Sequence, residues 1–135
     1  MSKPYILVSN DDGISSNGIK ALVQVASEFG DVVVVAPDRQ QSAVAHAITL
    51  ESPLRAQKME MNGQCEGFAI NGTPADSVKF AMNVIMKKKP DILVSGINLG
   101  SNIGQSILYS GTVSAAREGS FRGCLLYTSD AADEL

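Results

Sequence analysis

Three runs of apolar residues organise the chain: Tyr5-Ile6-Leu7-Val8, Val32-Val33-Val34-Val35-Ala36 and Ile92-Leu93-Val94. Runs of this length, uncharged and rich in β-branched residues, read as strands buried on both faces of a parallel sheet. Between the first two, Ile19, Leu22, Val23, Ala26 and Phe29 recur at helical spacing. This predicts a helix from Ser15 to Gly30, with Gly30 ending it. Strand, helix and strand in so short a span form a βαβ unit with parallel strands and a right-handed crossover. The pattern then changes. Ala47 to Leu50, Leu54 to Met61 and Gly67 to Ile70 predict short strands with Asn62-Gly63 as a hairpin turn, a β excursion from the main sheet. Thr73-Pro74-Ala75-Asp76 starts a second helix, with a Thr N-cap, Pro in the first turn and an acidic residue after it. Val78, Ala81, Met82 and Ile85 are its expected buried stripe, and Pro90 bounds it. The third strand, Asp91 to Ser95, opens into a Gly- and Asn-rich loop, Gly96 to Gly104. Val113 to Glu118 reads as a further helix. The fold class is α/β with a mainly parallel sheet and helices on both faces.

The chemistry gathers where these strands end. Asp11 and Asp12 follow the first strand directly, and Gly13 frees the backbone to turn. Neighbouring residues inside a strand point to opposite faces, so the pair belongs just past it, where both carboxylates can lean to one point. Two readings fit: a shared hard cation such as Mg²⁺, Mn²⁺ or Ca²⁺, or a polar turn that caps the next helix. The loop from Gly96 to Gly104 offers backbone for close approach to a ligand, or is a plain connection. Ser110-Gly111-Thr112 precedes a helix, where hydroxyls and amides suit a phosphate-sized anion or simply cap the helix. Ligands of open α/β sheets bind at this carboxyl end.

Composition narrows the classes. The chain has 135 residues, enough for one domain, and 44% hydrophobic residues support a core. Its net charge of −3 comes from the tail: without Asp130, Asp133 and Glu134, eleven basic residues face eleven acidic ones. A neutral body gives no electrostatic case for duplex nucleic acid or a membrane surface. Lys87-Lys88-Lys89 reads as a solvated helix end. Cys65 and Cys124 stand apart without metal-site spacing, which points to a reducing compartment. With neither a leader nor a spanning segment apparent, the expected location is cytoplasmic. His46 is the only histidine, and it reads as a structural or loop residue. No Cys–His or Ser–His–Asp arrangement is available, so a hydrolytic nucleophile would have to be water.

Five motifs in register carry a resemblance: Val8-Ser9-Asn10-Asp11-Asp12-Gly13; Ala36-Pro37-Asp38-Arg39 with Ser42; Asn71-Gly72-Thr73-Pro74-Ala75-Asp76; Ser95-Gly96-Ile97-Asn98 with Gly100 and Asn102; and Tyr109-Ser110-Gly111-Thr112. Together they resemble the stationary-phase survival protein SurE family of metal-dependent nucleotidases. The resemblance implies a Rossmann-like three-layer α/β/α fold and an oligomer. It implies Asp11, Asp12, Ser42 and Asn98 as ligands of one divalent cation, Mg²⁺ or Mn²⁺; from the residue types, Asn102, Ser110, Gly111 and Thr112 are expected to hold the phosphate. The implied reaction is hydrolysis of nucleoside monophosphates; from the residue types, Asp12 is expected to accept a proton and Asp11 to anchor the ion, or the two in exchanged roles, with Asn98 ligating as a neutral oxygen. Where the family often has Arg-Ser-Gly, this chain has Gln41-Ser42-Ala43.

The resemblance extends to about Gly123, giving an incomplete family domain over residues 1–123. Residues 124–135 are expected to be a mobile, non-family tail on a chain truncated at its C-terminal side, with Cys124 to Tyr127 able to begin a strand. Two other classes compete. A non-enzymatic, metal-dependent nucleotide-binding module would need only part of the family fold. A signalling receiver would need a phospho-accepting Asp ending a central strand and a Lys ending a later one. Asp38 lies past Pro37, and no Lys follows Ile92-Leu93-Val94.

Overall fold

The computed structural model describes residues 3–40, 53–98 and 125–130. In chain order its elements are β1 (Tyr5–Ser9), α1 (Asn17–Ala26), β2 (Asp31–Pro37), β3 (Ala56–Met61), β4 (Cys65–Ile70), α2 (Pro74–Phe80), β5 (Ile92–Asn98) and β6 (Leu125–Asp130). A single π-helical turn, Ala81–Ile85, continues α2. The strands form one sheet in the order β3-β4-β2-β1-β5-β6. Every pairing is parallel except that of β3 with β4.

Alternation along the strands builds a core on each face. Ile6 and Val8 of β1 join Val32, Val34 and Ala36 of β2 under Ile19, Val23 and Ala26 of α1. Leu7, Val35 and Leu93 point the other way, against Val78 and Ala81. Burying each large aliphatic side chain contributes about 1.5–3 kcal/mol. The result is a three-layer α/β/α arrangement. Its parallel strands deliver the chain after β1, β2, β4 and β5 to one end of the sheet. Among the described residues no helix is long and apolar enough to cross a membrane.

Several sequence expectations change. The first helix stops at Ala26, and the chain turns through Ser27–Phe29 by bonds such as Phe29 N–H to the Ala26 carbonyl at 2.9 Å. Phe29 therefore leaves the buried stripe and is 67% exposed. Gly30 follows the helix without a left-handed conformation, and its role is close approach. A Cβ there would lie 2.3 Å from the Pro4 carbonyl oxygen.

The segment around residues 54–70 is not an excursion. β4 pairs with β2 from Val33↔Glu66 to Pro37↔Ile70 and is an interior strand. Only β3 departs from the parallel pattern, folding back as a largely exposed edge. The hairpin turn stands as expected: Asn62 and Gly63 have φ of 56° and 68°, Gln64 N–H closes on the Met61 carbonyl at 2.9 Å, and three residues lie between the paired Met61 and Cys65.

At the other edge, β6 runs beside β5 through Thr128 and Asp130, so regular structure does not end before Thr128. The start of β6 at Leu125 agrees with the expectation that Cys124 to Tyr127 could begin a strand. Residues 131–135, the expected strand Ala47–Leu50, and the expected helix Val113–Glu118 lie outside the described residues.

Candidate functional site

The turn after β1 is closed by one side chain. Asn10 is completely buried. Its Nδ2 donates to the Gly13 carbonyl oxygen at 3.0 Å and to Ser16 Oγ at 3.0 Å. Gly13 N–H donates back to Asn10 Oδ1 at 3.3 Å. Ser16 is the N-cap of α1; its Oγ accepts from Ile19 N–H at 3.4 Å, and its own N–H donates to Gly13 O at 3.1 Å. A carboxamide carries two donors and an acceptor, and all are used here.

This turn is also fixed to β2. Ile14 N–H donates to the Pro37 carbonyl at 2.8 Å. Gly13 has φ of 104°, and a Cβ on it would sit 3.1 Å from the Arg39 carbonyl carbon. Both the conformation and the close approach call for glycine.

Asp11 and Asp12 are thus held between the end of β1 and the start of α1. Asp11 is 2% exposed, whereas Asp12 is only half-buried. Adjacent anions repel, and a cation between them offsets both that repulsion and the loss of solvent. Carboxylate oxygens in this position fit a hard divalent ion. Among the described residues no cluster of three His, Cys, Asp or Glu side chains occurs.

β5 brings a further residue of the expected set to the same end. It lies beside β1 with Ser9 opposite Ser95, and Asn98 is its last residue. The Ser9 and Ser95 hydroxyls are fully buried and make no hydrogen bond among the described residues. Ser42, His46, Asn102, Ser110, Gly111 and Thr112 lie outside the described residues.

The motif from Asn71 to Asp76 does structural work. Asn71 Oδ1 accepts from Arg55 N–H at 2.6 Å, and its Nδ2 donates to the Pro53 carbonyl at 3.2 Å. Thr73 N–H donates to Asp76 Oδ2 at 2.9 Å, and Asp76 N–H donates to Thr73 Oγ1 at 3.0 Å, a reciprocal capping box. Gly72 leaves room for that carboxylate, since a Cβ would stand 2.6 Å from Asp76 Oδ2.

Away from the site, burial and then Glu66 push the Cys65 thiol up, which disfavours the reactive thiolate. Burial, Asp31 and Glu66 do the same to the Tyr5 phenol. Neither group is prepared as a nucleophile. Asp38 is exposed beyond Pro37, and β5 ends in Asn98 without a lysine, so the receiver arrangement is not formed. The sequence reading passed over Asn10 and Ser16 as the elements that hold the acidic pair. Their signal was an Asn three residues before a Gly and six before an N-cap Ser, a spacing suited to a side chain that mimics a backbone turn.

Residues 6–125 match the family Survival protein SurE. The chain is 52% identical over 118 residues to a 5'-nucleotidase SurE of Thermosipho melanesiensis, covering 87% of this chain and 46% of that protein. It is 53% identical over 124 residues to a 5'-nucleotidase SurE of Flavobacterium psychrophilum, covering 91% and 48%. It superposes on the crystal structure of the SurE protein from Aquifex aeolicus with a TM-score of 0.80 at 46% identity, over 91% of this chain and 49% of that one. The chain spans about half the length of the curated relatives it matches.

Proposed function

The chain belongs to the SurE family, and from that premise we propose that it carries the metal-binding half of a nucleotidase that hydrolyses nucleoside monophosphates. The observation that carries this reading is the acidic turn: Asp11, buried, and Asp12, half-buried, stand at the carboxyl end of β1, next to the strand that ends in Asn98.

Asp11, Asp12, Ser42 and Asn98 would hold one Mg²⁺ or Mn²⁺ ion. When bound, such an ion supplies charge stabilisation for the phosphoryl group and lowers the pKa of a water molecule. The protein side chains divide the remaining work by exposure. Asp11, enclosed, is suited to anchoring. Asp12, open on one side, is suited to accepting a proton from the attacking water. Asn98 contributes a neutral oxygen, which keeps the site from repelling an anionic substrate. Asn102, Ser110, Gly111 and Thr112 would bind the phosphate through hydroxyls and amides. The substrate is therefore an anionic monophosphate, and a homo-oligomer and a cytoplasmic location belong to the same proposal.

One observation favours a second reading for this chain by itself. Its relatives are about twice as long, and metal-dependent nucleotide binding without turnover requires fewer groups than catalysis.

The test is phosphate release from a panel of nucleoside monophosphates with Mn²⁺ or Mg²⁺, using this chain and a version extended to family length. Turnover by the extended protein, abolished in Asp12→Asn with the fold unchanged, supports the nucleotidase. Near wild-type turnover of Asp12→Asn at saturating metal would falsify the assignment. Metal-dependent binding with no turnover in either protein favours the binding module.

A further inference from the structure

We propose that Asn10 is a positioning residue that presets Asp11 and Asp12 for a divalent cation, an inference that rests on reading those carboxylates as metal ligands. The side chain is wholly buried and touches both ends of the structure that carries the pair. Through Gly13 it closes the turn on itself, accepting from the Gly13 N–H and donating to the Gly13 carbonyl. Through Ser16 Oγ, 3.0 Å away, it fastens that turn to the first residues of α1. Asp11 and Asp12 are the residues enclosed between these contacts. Two neighbouring anions push a turn open before a cation arrives, and a closed turn resists that push. Holding ligands in place beforehand lowers the ordering cost of binding, and residues that orient metal ligands commonly govern affinity.

The clamp requires a carboxamide. An Asp at this position has the same shape and still accepts from Gly13 N–H. It cannot donate to the Gly13 carbonyl, and two oxygens would face each other there. It also places a third negative charge beside the acidic pair. Charge alone would then tighten cation binding, whereas loss of the clamp would weaken it. The two effects have opposite signs, so one isosteric substitution separates them.

The experiment titrates the 135-residue chain with Mn²⁺ alone, reading free ion from its electron paramagnetic resonance signal, and records a thermal melt of each variant. Asn10→Asp is expected to bind Mn²⁺ roughly 10–100-fold more weakly than wild type. Ser16→Ala keeps the buried amide, removes one of its partners, and is expected to weaken binding to a smaller degree while still melting cooperatively. A purely structural role would lower the melting temperatures and leave the affinity of the folded protein unchanged. If both variants bind Mn²⁺ as tightly as wild type, or Asn10→Asp binds more tightly, the proposal is overturned. Its failure is distinct from that of the metal assignment. When wild type binds, Asp12→Asn does not, and both clamp variants bind normally, only the role of Asn10 falls. When wild type itself takes up no Mn²⁺, the ligand assignment falls and the clamp with it.

Discussion

Two acidic turns leave the carboxyl end of the sheet, and different side chains close them. After β4, Asp76 is built into the scaffold: its Oδ2 accepts from Thr73 N–H, it is fully buried, and it caps the helix in which it lies. After β1, the bonds that close the turn come from a neutral amide, Asn10, and the helix is capped by a hydroxyl, Ser16. A carboxylate spent on a helix cap serves stability. The turn after β1 is closed by an amide rather than by a carboxylate. The sequence context of the two is similar: each follows an Asn at the end of a strand and precedes a helix. Both helices have a hydroxyl N-cap, Ser16 and Thr73; what differs is that Asp76 also accepts from the N-cap N–H.

The comparison is sharpest when metal is added. At a Mn²⁺ concentration 100-fold above its dissociation constant, binding to the folded state alone should add about 2.7 kcal/mol of stability. Asp76→Ala should keep this increment, and Asp12→Asn should lose it. Urea unfolding with and without Mn²⁺ measures both; an increment retained in Asp12→Asn would erase the distinction.

Next in size is the scaffold effect itself. Asp76→Ala removes the reciprocal cap and leaves the Thr73 N–H without its acceptor in a buried place. The expected loss is about 2–3 kcal/mol without metal. A loss below about 0.5 kcal/mol, the level of an ordinary surface change, would mean that the cap contributes nothing special.

Ser16→Ala tests the other helix start. It removes a hydroxyl cap but no charge, so about 1 kcal/mol should be lost, less than at Asp76. Equal losses at the two sites would show that the carboxylate cap has no advantage over the hydroxyl.

The smallest effect is expected at Ser95. Its buried hydroxyl makes no hydrogen bond among the described residues, and removing such a group is close to neutral. Ser95→Ala should change stability by less than about 0.5 kcal/mol. A larger loss would reveal a polar network joining β5 to the site.

Some of this was legible in the chain. Uninterrupted apolar runs identified β1, β2 and β5, because a strand with neighbours on both sides and helices on both faces has no polar position to spare. Asn62-Gly63 announced a hairpin and Thr73-Pro74 a helix start, since each depends on the local backbone preferences of the residues themselves. The acidic pair identified the end of the sheet at which to look. Other features depended on what stood opposite. β4 proved an interior strand because β2 offered it a parallel edge, and a short strand cannot declare its partner. Phe29 continued a helical pattern and yet faces water, because the chain leaves the helix at Ala26 and Gly30 must pack on Pro4. In the sequence Asp76 read as an acidic residue in the first turn of a helix, and Asp11 fitted either a cation site or a polar turn. The hydrogen bonds that make one a cap and enclose the other in a turn held by Asn10 exist only once Gly13, Ser16 and Thr73 are placed in space. Residue type and spacing fix which groups are available; burial and the direction of each donor decide what they are used for.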